Sequence, residues 1–455
     1  MKHQMNITGM AFGLFVGVVM ISSPAWATNG HVLHGVGSVN QSMGGAGIAT
    51  SIDAIGSNHN NTSSIAFLGK SSIEFGFELF APDRSMGADT AVFGSTGSSG
   101  RVESKTREAV IPEMGVVLKM PGPLTFGLTA LGIGGFGVDY RANAFVSGAG
   151  NSNPLAAPQS AGGFGAIYAN YQLLQVTSSG AYRLTPKLSV GLGFNIDWAS
   201  LSVNPWPATP PGGSSPGPGS TTYGYPTGTH AATAWGYGFT VGTTYLPISS
   251  LALGVSFKSP QWFNDFSWNS QYPDGSPTSF KFRLDYPMII GSGVSYKPMT
   301  PLVLAADVKW INFSNTHGFE DKNFASTPAG PFVRGFGWED IWTISFGAQY
   351  RVTPKFAIRS GYNYGQNPIP SEQQFFNVFA PAIVKHHLNV GAGYQFSPSI
   401  GLNIAYYHAF KEEETGPVIS NGNAGLPPLN QPVPGTSVAN ELNENSVSLQ
   451  LSYTF

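Results

Sequence analysis

The chain closes on NENSVSLQLSYTF, residues 443–455. Val447, Leu449, Leu451, Tyr453 and Phe455 occupy every second position, and Ser446, Ser448, Gln450, Ser452 and Thr454 fill the gaps. Successive side chains of a β-strand leave opposite faces of the sheet, so this two-residue period predicts a strand with one wholly apolar and one wholly polar face. A single strand of this kind suits a soluble sandwich as well as a membrane barrel. The other strands decide between them.

The same alternation recurs along the chain. Leu188, Val190, Leu192, Phe194, Ile196 and Trp198 oppose Ser189, Gly191, Gly193, Asn195 and Asp197. Leu302, Leu304, Ala306, Val308 and Trp310 oppose Val303, Ala305, Asp307 and Lys309, and Leu388, Val390, Ala392, Tyr394 and Phe396 oppose Asn389, Gly391, Gly393 and Gln395. Charges in these strands fall on the second face. That sorting fits a barrel whose first face meets lipid, where a basic side chain at mid-bilayer costs about 2–4 kcal/mol. Trp198, Trp310, Tyr350, Tyr394 and Phe396 stand near strand ends, the position of interfacial girdles.

The connections alternate as well. Short proline-marked turns lie at 121–123, 184–187, 246–249, 297–300, 352–355 and 396–399. Between them run long polar or Gly/Pro-rich stretches at 84–108, 141–165, 204–231, 259–280, 312–338, 366–386 and 411–444. Tight periplasmic turns and long external loops are the asymmetry of bacterial outer-membrane barrels. Thirteen connections predict fourteen strands, an even number that returns Phe455 to the periplasmic side. The turn spacing does not suit a sandwich, and no fixed-period motif marks a propeller. An apolar face on nearly every strand needs one continuous apolar partner, and in lipid only helices and closed barrels satisfy their backbones. The predicted fold is an all-β membrane protein, a 14-stranded antiparallel transmembrane β-barrel over residues 71–455.

Composition agrees. The 455 residues include no cysteine, 10% charged residues, 13% aromatics, 58 glycines and 34 prolines, with net charge −2. Disulfide and thiolate chemistry is excluded, and without clustered Lys and Arg nucleic acid is not a partner. The start of the chain reads as a signal peptide over residues 1–27: Lys2 and His3, the apolar run Met10–Ile21, and Ala25 and Ala27 at the positions a signal peptidase reads. That run is too short for the ~20 residues of a spanning helix.

Residues 28–70 precede the first strand, Ser71–Pro82, and carry eight glycines with no sustained period. A disordered periplasmic leader and a compact plug both suit them. The lumen of fourteen strands, wider than side chains alone can fill, favours a plug inside the barrel, with Gly44, Gly45 and Gly47 allowing close packing.

Other features carry candidate chemistry. GIGGFG (132–137) matches a dinucleotide fingerprint, but no helix pattern follows and the ribose-binding carboxylate is missing. Gly132, Gly134, Gly135, Phe136 and Gly137 instead predict a bulge or kink in the third strand. Trp206, Trp262, Phe263, Phe266 and Trp268 lie in the third and fourth long loops, either as first contacts for a hydrophobic ligand or as a packed loop cluster. Asp197, Lys258, Asp307, Lys309, Arg351 and Arg359 fall on polar faces as lumen lining, with Arg359 expected to anchor the plug. The histidines show no metal-site spacing, no GxSxG elbow or paired-carboxylate setting marks an enzyme such as an outer-membrane lipase, and no cofactor is expected. A nonspecific porin with a charged constriction is the alternative channel.

Val36–Leu68 resembles the N-terminal hatch of the FadL/TodX family of outer-membrane transporters for long-chain fatty acids and other hydrophobic compounds. Residues 338–370 and 386–410 resemble the family's strand, turn and loop order, and GVSFKSP (254–260) a recurrent family segment. The resemblance implies a monomer in outer-membrane lipid and lipopolysaccharide, a hatch of about forty residues, a hydrophobic small-molecule ligand, passive uptake, and lateral release where the third strand kinks. It places a low-affinity groove between the third and fourth loops and makes the terminal Phe455 resemble the signal read by the barrel-assembly machinery. The chain departs from the family where Asn61-Thr62-Ser63 stand for Asn-Pro-Ala, which puts the rigid turn in doubt. Basic residues hold the carboxylate in the family's fatty-acid transporters. The matching segment here has Glu339, and the fifth strand end (198–203) has no basic residue, so the expectation leans to neutral hydrocarbons or aromatics.

Overall fold

A computed structural model describes residues 28–90, 98–141, 153–159, 163–214, 221–422 and 425–455; the expected signal peptide lies outside them. The barrel strands are β1 (Ser72–Thr90), β2 (Ala109–Lys119), β3 (Leu124–Asp139), β4 (Tyr168–Thr185), β5 (Leu188–Asn204), β6 (Gly228–Ile248) and β7 (Leu251–Lys258). They continue as β8 (Met288–Met299), β9 (Leu302–Asn312), β10 (Ile341–Thr353), β11 (Phe356–Gly365), β12 (His386–Gln395), β13 (Ile400–Gly416) and β14 (Ser437–Thr454). Each pairs antiparallel with its neighbours, and the ring closes from Ser72↔Thr454 to Asp89↔Ser437. All six proline-marked turns fall between paired strands.

The alternation sorts as the residues require. Leu192, Phe194 and Ile196 face outward and stay exposed, whereas Asn195 and Asp197 face inward and are buried. Tyr182, Tyr245, Tyr296, Tyr350, Tyr394 and Tyr453 form an outward belt near the turn ends of their strands. Towards the loops, Trp198 pairs across strands with Trp235 and Trp310 with Trp342. Leu188 pairs with Tyr245 and Trp198 with Trp235, so about ten residues of tilted strand separate the belts, the height of the ~25 Å apolar band of such barrels.

The expectation for the first strand needs correction at its outer end. β1 runs on to Thr90, and Ser98–Glu103 pairs back on it from Ser85↔Glu103 to Thr90↔Ser98. β13 and β14 are likewise long, and Arg101 bridges their carboxylates at Glu413 (2.7 Å) and Glu441 (3.1 Å). Polar residues on both faces hid this extension, because a ladder rising clear of lipid no longer needs an apolar side.

Residues 28–68 fill the lumen. Helix α1 (Gly37–Ser42), helix α2 (Ala54–Asn60) and a 3₁₀ turn (Thr62–Phe67) are short, and nearly all their residues are buried. Asp53 caps α2 by accepting the Gly56 N–H at 2.8 Å. Gly44 has φ +66°, and a Cβ there would lie 2.7 Å from the Tyr362 nitrogen, so the plug meets the wall backbone where only glycine fits.

Leu192 lies midway between the two belts. Leu192→Lys is expected to destabilise the barrel by about 2–4 kcal/mol in chemical denaturation from lipid vesicles, the cost of a basic side chain at mid-bilayer.

Candidate functional site

The site is where the plug, the third strand and the external loops meet. The plug is held mainly through its own backbone. Asp307 on β9 accepts the N–H groups of Gly47 (2.6 Å) and Ile48 (2.9 Å) with one carboxylate oxygen. Glu74 on β1 accepts those of Ala54 (2.9 Å) and Ile55 (3.1 Å), and Glu113 on β2 that of Gly37 (2.5 Å). Each such hydrogen bond contributes about 0.5–1.5 kcal/mol net. Arg359 donates to wall residues, Gln349 at 2.7 Å and Asn403 at 3.0 Å, and reaches the plug through its field on Asp53. The carboxylate anchors escaped the sequence reading because an acceptor for a backbone N–H has no partner residue type to look for.

The missing Asn-Pro-Ala turn is replaced by side-chain hydrogen bonds. Asn61 Oδ1 accepts from the Ser63 N–H at 3.1 Å, and Asn61 Nδ2 donates to the carbonyls of Ile48 (2.8 Å) and Thr243 (3.1 Å). These contacts fix the entry to the 3₁₀ turn without a proline. Gly45 (φ +80°) and Gly47 sit in the tight bend between the helices.

The third strand breaks its ladder. β2 and β3 pair from Lys119↔Thr125 to Glu113↔Leu131 and no further, although β2 begins at Ala109 and β3 continues to Asp139. On its other side β3 stays paired with β4, with a register shift between Gly132 and Gly134 that makes Ile133 the bulged residue. From Thr129 to Val138 every residue is buried, so the alternation of a lipid-facing strand is lost. The plug's first residues take the freed edge: Val32 bridges Gly134, and the Leu33 N–H reaches the Ile133 carbonyl at 3.4 Å. On the outer surface beside the break, Met114, Val116 and Ala130 form a buried apolar crease with Leu128 and Val176.

Aromatic rings lead from the loops to this break. A small apolar cavity is lined by Phe136 on the bulged strand, Leu201 and Val203 on β5, Trp206 and Phe282 in the loops, and Phe336. Phe136 lies 5.4 Å from Phe336, which stacks on Phe319 at 5.4 Å. Phe319 in turn stacks on the imidazole of His31 at 4.7 Å, and Tyr286, Phe313 and Trp338 complete the cage. Among the described residues neither ring nitrogen of His31 has a hydrogen-bond partner.

The five loop aromatics separate. Trp206 lines the cavity and stacks with Trp268 (4.7 Å) and Phe280 (5.4 Å) in a buried cluster that Phe266 joins. Phe263 covers Gly236, and Trp262 lies against Tyr237 and Phe239 on the outward face of β6. Phe319, Phe336, Trp338 and Phe376 were missed. Their signal was the density of aromatics in loops that carry no strand period.

A closed barrel, an internal plug and an aromatic lumen define a channel of the outer membrane for hydrophobic compounds. Residues 18–455 match the outer membrane protein transport family, OMPP1/FadL/TodX, and the chain belongs to it. It is 21% identical over 432 residues to the long-chain fatty acid transport protein of Escherichia coli K12, covering 87% of this chain and 91% of that protein. Among solved structures, the toluene transporter TodX of Pseudomonas putida superposes with TM-score 0.66 at 18% identity, covering 93% of this chain and 99% of TodX. A FadL homologue of Pseudomonas aeruginosa gives 0.69 at 16% identity, with 94% and 100% covered. These likenesses agree with the barrel described above.

Asp307→Ala removes the acceptor for two plug amides. Hydrogen exchange at Gly47 and Ile48 is expected to accelerate about tenfold or more, at ~1.4 kcal/mol per tenfold, while β10–β14 amides stay protected.

Burial holds His31 down to about 3 from its ordinary 6.5. Once out of the cage, His31 regains the ordinary value and takes up a proton that the caged form refuses. The seal is therefore strongest above pH 6.5 and weakens as pH falls towards 3. Exchange of the Leu33 amide, corrected for its intrinsic rate, is expected to speed up below pH 6.5, and His31→Phe to abolish that dependence.

Proposed function

We propose that the chain takes up hydrophobic small molecules, alkyl or aromatic, from outside the cell and releases them sideways into the outer membrane between β2 and β3. A leader ending at residue 27 is removed on export, and the barrel works as a monomer among lipid and lipopolysaccharide. Solute first partitions onto the loop aromatics around Trp206. It then moves along Phe336 and Phe136 to the bulge, driven only by transfer out of water at roughly 25 cal/mol per Å² of apolar surface. Release follows when Thr28–Leu33 leave the freed edge of β3.

The observation that carries this reading is the interrupted β2–β3 ladder, whose exposed edge is met by plug residues Val32 and Leu33 in place of a neighbouring strand. A barrel wall with unpaired backbone in lipid would be costly, so the break is favoured only where another segment covers it. The apolar crease of Met114, Val116 and Ala130 outside the break suits a solute passing from lumen to lipid. A nonspecific porin needs an open polar lumen, whereas here the plug occupies it. Phe455, just past β14, donates its N–H to the Ser71 carbonyl at 3.0 Å and stacks its ring on Tyr453, a setting that suits recognition by the assembly machinery.

Deleting Ile133 removes the bulge and brings β3 back into register. Uptake of a radiolabelled hydrophobic compound by cells is expected to fall at least about tenfold, the loss of ~1.4 kcal/mol or more from the exit step, while the heat-modifiable gel shift of the folded barrel persists. Undiminished uptake would rule out exit at this break, and swelling of proteoliposomes by sugars would favour the porin.

A further inference from the structure

The two ends of the barrel carry different charge, a contrast that does not depend on the cargo. At the loop end acids are abundant and cations pair with them: Arg101 with Glu413, Arg141 with Asp139, Arg334 with Asp321. Among the described residues every ion pair lies at that end. The turn end has cations only. Lys70 stands before β1, Lys119 ends β2, and Arg183 and Lys187 flank the turn from β4 to β5. A second arc on the far side of the ring has Lys297 near the end of β8, with Arg351 and Lys355 about the turn from β10 to β11. The six turns and the three strand residues on either side of each contain no Asp or Glu. Glu74, the acid closest in sequence to Lys70, is buried and engaged on plug amides.

The tyrosine belt sets the depth of these cations. Arg183, Lys297 and Arg351 follow directly on Tyr182, Tyr296 and Tyr350, whose rings face outward. Lys187 precedes Leu188, the partner of Tyr245, and Lys355 precedes Phe356, the partner of Tyr394. A residue of strand rises about 3.3 Å, so these five cations stand one short step beyond the belt. Such rings sit at headgroup level, which brings the rim level with lipid phosphates. Lys70, Lys187, Lys297 and Lys355 are exposed. The Nζ of Lys187 donates to the Pro247 carbonyl at 2.9 Å, a neutral acceptor, and an ammonium keeps two further N–H donors. At the loop end the protein supplies counter-charge to its own cations; at the turn end that is left to the surroundings.

We propose that the turn-end rim is a docking surface for anionic phospholipids of the periplasmic leaflet, their phosphates held by Lys70, Lys187, Lys297 and Lys355. Clustered cations at a membrane surface attract anionic headgroups in this way. Leu184 beside Lys187 and Val352 beside Lys355 are exposed and offer the acyl chains an apolar wall. An acidic protein has no use for that wall, whereas a phospholipid uses cation, tyrosine belt and wall together. The arc from Lys70 to Lys187 spans β1 to β5, the strands on either side of the β2–β3 break. Bound lipids therefore border the part of the wall whose ladder is interrupted.

The test places the full mature chain in phosphatidylcholine vesicles with a trace of spin-labelled lipid and reads the fraction of label immobilised at the protein surface. Labelled phosphatidylglycerol is expected to associate at least about threefold more strongly than labelled phosphatidylcholine at low salt. The preference should shrink in about 1 M salt, where charges are screened within a few ångströms. Joint replacement Lys70→Gln, Lys187→Gln, Lys297→Gln and Lys355→Gln is expected to bring the two lipids level. The loop-end pair Lys105→Gln and Lys281→Gln, at exposed lysines outside the ion pairs, leaves the preference intact. If the fourfold variant loses the heat-modifiable gel shift of the folded barrel, Lys187→Gln with Lys355→Gln carries the test and should at least halve the preference. Equal association of both lipids with the unaltered chain, or a preference that survives the turn-end changes or vanishes with the loop-end ones, overturns the proposal. Retention of a polyglutamate peptide without any lipid preference would give the rim to an acidic protein instead, and overturns it equally.

Discussion

Hydrocarbon offers a backbone no hydrogen bonds, and the whole architecture follows from that deficiency. Every strand must find its ladder partner in another strand, so the sheet closes on itself through eighteen residue pairs between β1 and β14. The break between β2 and β3 is a departure that the lipid would penalise. It persists because the plug's first residues reach the freed edge and because the adjoining stretch of β3 turns inward, where every residue from Thr129 to Val138 is buried. Wall and plug are therefore one hydrogen-bonded object, and the wall is continuous on that side only while the plug is in place.

Inside the barrel the chemistry divides by height. Low in the lumen, carboxylates, amides and hydroxyls of the wall meet the short helices of the plug, since a polar segment can be buried only against polar partners. Higher up the lining turns aromatic, from Trp206 through Phe336 and Phe136 to the ring stack around His31. A solute that leaves water at the loops thus meets apolar surface until it reaches the plug. In the proposed route, the polar plug turns such a solute towards the apolar surface at its side.

Much of the barrel was legible in the sequence. A period of two is a local property, so β5, β9, β12 and β14 announced themselves, and proline marked the turns because a strand interior tolerates it poorly. GIGGFG announced the bulge for the same reason, since so many glycines weaken a strand. The outer ends of β1, β13 and β14 were not legible, because outside the membrane no face need be apolar. The aromatic cavity was half legible: Trp206 stood out, whereas Phe319 and Phe336 acquire neighbours only when separate loops fold together. Asp307 looked like an ordinary lumen charge and Glu74 and Glu113 drew no notice, since nothing local tells an acid facing water from one facing a backbone amide.

The manner in which the plug is tied down bears on how such a chain can change over generations. Its principal tethers run from acidic side chains of the wall to main-chain N–H groups at Gly37, Gly47, Ile48, Ala54 and Ile55. A main-chain donor is offered by every residue except proline. These tethers therefore do not depend on the side chains of the plug, save at glycines such as Gly37 and Gly47 where a Cβ would crowd its neighbours, while they do depend on the three wall acids. Selection acting on the plug's upper surface, where it faces cargo, is in this way uncoupled from selection for keeping the pore shut, and one sealed scaffold can be re-tuned to new compounds by substitutions that leave its attachment untouched.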